Sequence, residues 1–384
     1  MRKKILYLLS HPIQYQSPLI ESISKDKLID LEVVYYSDYS IRKYFDKEFG
    51  KKIRFDVPLL KGYKYSYIFK KHNKNIFLFL IKIILIFKKK KPNFLWIHGY
   101  DTFYKIITIF LAKFFNCKVL LRGESNLLKN NKINLYIFTR KIFFYFLDYF
   151  VNTYMAIGKK NKEFYEKFVD KSKISLFPYV VNNNFFKKRI LSNKSKIKLL
   201  KKLNIKKKSI VFIYTGKVIK KKNLGFLLEA FSNVINKYKN IYLLIVGDGE
   251  ERSFLQKQFN NYSESIKFLG FVNQKEISNF YSISNIFVMP SNYEPWGLSV
   301  NEAMIFKNAL LLSSNIGSAY DLLKNNKNGY FFKNNCSRDL EKGIIKLISN
   351  KTRLTRMQEE SKKIISKWSI NYSKNCFKNI INSF

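Results

Sequence analysis

The chain has 384 residues, 47% of them hydrophobic, so it is too long for one ordinary core and too apolar to be disordered. Its 71 Lys+Arg against 27 Asp+Glu give a net charge of +44, which points to an anionic partner such as phosphate, nucleic acid or an acidic membrane face. The richness in Lys, Asn, Ile, Phe and Tyr is also what an A/T-rich genome produces, so part of that charge is read as compositional drift. In chain order, the apolar run 4–9 is too short for a signal peptide and reads as a first buried strand. Further strands are expected at 31–36, 94–97, 119–122, 154–157 and 174–176, with basic apolar helices near 74–89 and 135–149. The longest apolar run, 76–87, contains Lys82 and is too short to span a bilayer, so a cytoplasmic location is expected. Lys88, Lys89, Lys90 and Lys91 close that run, and such a helix can lie in an anionic interface, which extends the expectation to the inner face of the cell membrane. The polar Lys/Asn-rich stretch 182–208 reads as a linker. Alternation then restarts, with strands at 210–214, 242–246, 266–269, 286–289 and 309–312 and helices at 224–238 and 276–281. Strand–helix alternation of this kind implies an α/β protein with parallel sheets.

The residues that carry chemistry fall at the ends of the second set of strands. Ligands of open α/β sheets bind beyond the carboxyl ends of the strands, and Gly216, Gly247, Gly270 and Pro290 stand there. Gly216 is followed by Lys217 and Lys222, both able to face an anion held at that turn. Gly247-Asp248-Gly249 is a strand–turn signal that permits close approach of backbone to a ligand. Glu294 and Glu302 stand eight residues apart, with the Pro295–Gly297 turn between them and a helix expected from Leu298. At ~1.5 Å per helical residue that spacing covers roughly 12 Å, enough to grip two ends of one elongated, hydroxyl-rich ligand. The helix start at Gly297, Leu298 and Ser299 offers backbone N–H groups to a phosphate. The plain alternative is a capped surface helix with two solvated glutamates. The cysteines Cys117, Cys336 and Cys376 have neither metal spacing nor the even number of a disulfide framework, and His11, His72 and His98 make no metal motif.

Together these segments resemble the retaining family-4 glycosyltransferases of the GT-B fold, of the bacterial surface-polysaccharide type. The likeness runs from Gly216-Lys217 and Lys222-Asn223 through Val246-Gly247-Asp248-Gly249, Leu269-Gly270 and Met289-Pro290-Ser291 to Glu294-Pro-Trp-Gly-Leu-Ser-Val-Asn-Glu302. The family usually has Arg where Lys217 stands, which keeps the charge but removes the bidentate fork. In the first half, His11-Pro-Ile-Gln14, the stretch from Phe49-Gly50 to Gly62-Tyr63, Arg122-Gly123-Glu124 and Ala156-Ile157-Gly158-Lys159 resemble a bacterial subgroup. The resemblance implies two Rossmann-like parallel-sheet domains facing a cleft. An acceptor-side domain over 1–185 would precede a nucleotide-sugar domain over 186–365, and a last helix at 366–384 would return to the first.

What the resemblance implies for chemistry is transfer of a sugar, with retention, from a nucleotide-diphosphate sugar to a glycan or lipid-linked acceptor. The pathway would be capsule, O-antigen or lipopolysaccharide synthesis. Glu294 would bind the transferred sugar, Glu302 the ribose diol, and Lys217 and Lys222 the leaving diphosphate, with no metal and no cofactor beyond the donor substrate. Gly216, Gly247, Gly270, Gly297, Leu298 and Ser299 would line the donor. His11, Gln14, His98, Arg122 and Glu124 follow or close strands of the first half and are the acceptor-side candidates. The rival readings are a sugar-nucleotide epimerase of the same fold and a non-catalytic basic membrane-binding protein. Nucleic acid is not expected as a partner, because no recognisable nucleic-acid motif is present.

Overall fold

The computed structural model describes residues 2–70, 75–128 and 133–384. They form two compact units, one of Met1–Tyr44, Val57–Val180 and Ile370–Phe384, the other of Phe45–Asp56 and Val181–Ser369. The division differs from the expected 185/186 boundary by a few residues. It also hands a short excursion of the first half to the second unit.

The first half runs β1 (Lys3–Leu9), α1 (Ser17–Ser24), β2 (Ile29–Tyr35), β3 (Tyr44–Asp46), β4 (Lys51–Ile53), β5 (Lys64–Tyr67), α2 (Ile76–Lys90), β6 (Phe94–His98), α3 (Phe103–Phe114), β7 (Lys118–Gly123), α4 (Ile133–Asp148), β8 (Thr153–Ala156), α5 (Lys159–Tyr165) and β9 (Ile174–Leu176). Seven strands form one sheet in the order β5-β2-β1-β6-β7-β8-β9, while β3 and β4 pair with each other. Every pairing in the seven-stranded sheet is parallel. Parallel strands are covered on both faces, which is why β1 and β6 are continuous apolar runs. One face is covered by α2, α3, α4 and α5 through residues such as Phe79, Ile83, Ile109, Phe144 and Phe164. The other is covered by α1 and by α15 (Ile370–Asn382), through Leu19, Ile23, Phe377 and Ile380. Helix α2 starts where the Asn75 side chain accepts the Leu78 N–H and stops at Lys91, whose left-handed backbone precedes Pro92. Position 74 of the expected helix lies outside the described residues.

The second half runs α6 (Asn183–Lys187), α7 (Asn193–Lys202), β10 (Ile210–Thr215), α8 (Leu224–Lys237), β11 (Ile241–Val246), α9 (Arg252–Gln258), β12 (Ile266–Gly270), α10 (Gln274–Ile283), β13 (Ile286–Met289), α11 (Leu298–Ile305), β14 (Ala309–Ser313), α12 (Ala319–Leu322), β15 (Gly329–Phe332), α13 (Ser337–Ile348) and α14 (Lys351–Lys367). Its sheet has the order β12-β11-β10-β13-β14-β15. The chain therefore works outward from β10, then reverses at β13, and the reversal leaves a crevice between the carboxyl ends of β10 and β13. The first sheet has the same reversal between β1 and β6. The stretch 182–208, expected as a linker, follows the unit boundary at 180/181 and carries α6 and α7. Asn182 and Ser192 cap α6 and α7 by accepting the N–H groups of Phe185 and Ser195. Helix α7 is lysine-rich and poor in apolar residues, which hid it.

Candidate active site

Three turns beyond the second sheet are locked together. Gly216 follows β10 and donates its N–H to the Val246 carbonyl, Val218 donates to the Asp248 carbonyl, and Gly247 donates to the Gly270 carbonyl. A Cβ on Gly247 would stand 1.7 Å from the Gly216 oxygen, and one on Gly249 would stand 2.3 Å from that of Val218. Here the glycines allow turn-on-turn packing. Gly270 has a φ of +72° and closes β12 against the Arg252 guanidinium, 3.2 Å from a built Cβ.

A fourth loop follows β13. Glu294 donates its N–H to Asn315 and its carbonyl accepts from Gly317, so the 291–297 loop lies along the turn after β14. Asn292 donates to the Lys221 carbonyl, which ties this loop to the lysine turn. Gly297, with a φ of +94°, turns the chain into α11 with no side-chain cap. The first N–H groups of the helix, at Leu298 and Ser299, thus open beyond the crevice end of the sheet.

Glu294 is buried, and its Oε1 pairs with Lys222 Nζ. Burial lowers the Lys222 amine to about 8, with the charges of Lys221 and Lys217 adding to the shift. Lys217 and Lys222 both stand in the turn that joins β10 to α8. Glu302 is only 1% exposed. Its Oε2 accepts from the Tyr281 hydroxyl at 2.9 Å and its Oε1 from Gln274 at 3.3 Å. Tyr281 has one proton, given to Glu302, so Thr215 at 2.7 Å donates to Tyr281 in turn. The second carboxylate of the pair is thus fixed from beneath by β10 and α10.

The excursion Phe45–Asp56 was not anticipated as part of this site. Lys217 Nζ lies 3.3 Å from both Asp46 oxygens and pairs with Glu48. It also stands 4.9 Å above the Phe49 ring. Phe49 meets Phe271 edge-on at 5.1 Å, and Lys51 pairs with Asp248 and lies over the Phe271 ring. Asn273 donates to the Arg54 carbonyl at 2.7 Å, fixing the end of the strap. A usable signal was the pair of acids, Asp46 and Glu48, in a chain with only 27.

In the first unit, His11 and Gln14 follow β1, His98 ends β6, and Arg122 and Glu124 close β7. His11 Nδ1 lies 3.0 Å from Ser10 Oγ, and its ring meets Tyr39 edge-on. Burial and the Lys105 charge push its imidazole down. Gln14 Oε1 is buried without a hydrogen-bond partner. Glu124 accepts from Tyr179, and its Oε1 lies 3.3 Å from His98 Nε2. Burial works to raise the Glu124 carboxyl, but the hydrogen bond and charge of His98, the Tyr179 hydroxyl and the Arg122 charge bring it to about 2. Arg122 is the exception among the acceptor candidates. It is fully buried between the rings of Phe177 and Tyr179, each 4.2 Å from its guanidinium carbon. Its two terminal nitrogens donate to Gln16 and to the carbonyls of Phe177 and Pro178, while its buried Nε has no hydrogen-bond partner among the described residues. It holds the β7–β9 region together and presents nothing to an acceptor.

Residues 195–364 match the family described as glycosyl transferases group 1. An uncharacterized glycosyltransferase of Methanocaldococcus jannaschii is 30% identical over 303 residues, 73% of either chain. The alpha-monoglucosyldiacylglycerol synthase of Acholeplasma laidlawii is 28% identical over 53% of this chain and 51% of its own length. The chain thus spans only about half of that relative. Among solved structures, HepE of Anabaena in complex with UDP superposes with a TM-score of 0.77 over 100% of both chains at 13% identity, a likeness of fold alone. The two Rossmann-type sheets are those of the GT-B fold, and the chain belongs to the group 1 glycosyltransferases.

Proposed function

We propose that the protein transfers a sugar, with retention, from a nucleotide-diphosphate sugar to a lipid-linked glycan or glycolipid in surface-polysaccharide synthesis. The observation that carries this reading is the Lys222–Glu294 pair at the strand-order reversal of the second sheet. In this pair each neutralises the other. A nucleotide-diphosphate sugar offers both a better partner, phosphate oxygens to Lys222 and sugar hydroxyls to Glu294. Lys217 and the first N–H groups of α11, at Leu298 and Ser299, add to the charge stabilisation of the leaving diphosphate. These groups take the part a metal plays elsewhere, so transfer proceeds without one. Glu302 takes the ribose diol once the Gln274 side chain moves off Oε1, and the Gly270 turn receives the base.

Retention follows from attack on the face the diphosphate leaves, with a phosphate oxygen taking the acceptor proton. The acceptor is met by His11, Gln14, His98 and Glu124 of the first unit. The relative named alpha-monoglucosyldiacylglycerol synthase supports a lipid acceptor, and the high basic charge supports work at the cytoplasmic leaflet. No helix of the described residues is long and apolar enough to cross a membrane, so attachment would be peripheral.

Incubation with a panel of nucleotide sugars and no acceptor tests the reading. Slow release of the nucleoside diphosphate with the sugar's anomeric configuration kept is the expected result. Conversion of the sugar into its epimer would replace a transferase by an epimerase. Thermal stabilisation by none of the panel would remove the donor site.

A further inference from the structure

Helices α2, α3 and α4 cover one face of the first sheet, and each is apolar on two sides. Inward, Phe79, Ile83 and Phe87 of α2 and Phe144 and Leu147 of α4 build the core. Outward, the same helices expose Phe77, Leu85, Phe138 and Tyr145. Helix α3 ends on Phe114, 83% exposed, and Tyr149, just beyond α4, is 70% exposed. A helix on a soluble core normally turns a charged stripe outward, and a second apolar stripe needs a non-aqueous neighbour. Among the described residues, eleven large exposed apolar side chains lie on these three helices and five on the whole second unit.

The three helices form one surface. Phe79 of α2 packs on Tyr104 of α3 at 5.5 Å, and Phe110 of α3 packs on Phe150 beyond α4 at 4.5 Å. Where α4 ends, the surface opens into a groove of about 1080 Å³ whose walls include Tyr145, Phe146, Tyr149 and Phe168.

Charge selects the occupant. The three helices carry eight Lys or Arg and one acid, Asp148, which pairs with Lys173. Lys105 is buried against Asp101, Lys82 bonds the Ile68 carbonyl and Lys90 pairs with Glu32. That leaves Lys88, Lys89, Lys113, Arg140 and Lys141 as the cations of the outer face. The groove adds Lys167 against Glu166 and Asp170. A second copy of the chain would bring the same positive surface and be repelled. An anionic bilayer offers the acyl boundary to the aromatic and aliphatic side chains and phosphates to the lysines.

We propose that the outer face of α2, α3 and α4 is the surface by which the protein seats itself on a bilayer rich in anionic lipid. The inference rests on the membrane-side reading above and assigns that role to a specific face. The run 76–87 contributes only half of itself, because its Phe79, Ile83 and Phe87 are core. Helices α3 and α4 supply most of the contact.

The test is co-sedimentation of the full chain with phosphatidylcholine vesicles and with vesicles of phosphatidylcholine and phosphatidylglycerol. The wild type binds the second kind, and binding falls with salt. The triple variant F138S/Y145S/Y149S, whose residues stand outside the core, binds at least about tenfold more weakly at low salt. Replacement of Lys88, Lys89, Lys90 and Lys91 by Gln flattens the salt dependence. Nucleotide-stimulated thermal stability stays at the wild-type level in both variants, which separates loss of docking from loss of fold or donor site. Undiminished vesicle binding by the triple variant, or no binding by the wild type while nucleotide binding persists, overturns the surface and leaves the transferase reading standing. A soluble dimer abolished by the triple variant would likewise overturn it in favour of a second copy.

Discussion

The Lys222 amine links the geometry of the donor turn to pH. Burial, with Lys221 and Lys217 nearby, brings it to about 8 against the opposing charge of Glu48, while the paired Glu294 carboxylate favours the cation. The cation is the form that would hold the diphosphate, and it is the form lost as pH rises. At pH 7 about nine-tenths of the enzyme carries the charge, and at pH 9 only about one-tenth does. The profile of kcat/KM for the donor reports groups of the free enzyme. It should therefore fall about tenfold between pH 7 and pH 9, while an unshifted lysine would leave it flat across that range. Arg stays charged throughout, so K222R should lower kcat/KM at pH 7 yet remove the alkaline limb. Initial rates of nucleoside diphosphate release over pH 6.5–10 decide the matter. A wild-type profile flat to pH 10, or an alkaline limb unchanged in K222R, would refute the assignment of Lys222 to the diphosphate.

Glu294→Gln keeps the shape of the side chain and loses its charge, and kcat should drop roughly tenfold to a hundredfold with the melting temperature retained. Turnover equal to wild type would remove Glu294 from the sugar site. The double change D46N/E48Q frees Lys217 from its two carboxylate partners, so calorimetry should show tighter binding of inorganic pyrophosphate and of UDP, whereas weaker binding would mean that the acids serve to hold Lys217 in place. Gly247→Ala places a methyl against the Gly216 carbonyl and should cost about 1–3 kcal/mol of stability in urea unfolding together with donor affinity. Unchanged stability would show that the turns separate easily. Transfer should persist in excess EDTA, because lysines and a helix start stand where a metal would, and complete loss restored by Mg²⁺ would refute metal independence.

The inner strands of both sheets were legible because they are buried on two faces and read as unbroken apolar runs, as in Ile210–Thr215 and Ile241–Val246, whereas the edge strands β5 and β15, short and partly exposed, were missed. The Glu294–Glu302 spacing was legible because one loop and one helix carry it. What escaped reading depends on contacts distant in sequence. Lys217 and its partner Asp46 are 171 residues apart, and β3 and β4 are three-residue strands with no buried stripe. Arg122 looked like a strand-end ligand, but the rings that enclose it come from 55 and 57 residues further along the chain. The helices at 183–202 were hidden by lysine. Their start signals, Asn182 and Ser192, are local and were there to be found.

The locked turns have a consequence for how donor preference can change. Because Gly247 has no room for a side chain beside Gly216, and the 291–297 loop is tied to Lys221, these segments cannot be traded singly. A turn transplanted alone from a relative with another donor would meet neighbours shaped for its predecessor. The natural unit of exchange is the block of turns after β10, β11, β12 and β13, moved together. A chimera that swaps the whole block should fold and inherit the other protein's nucleotide, while one that swaps a single turn should do neither well.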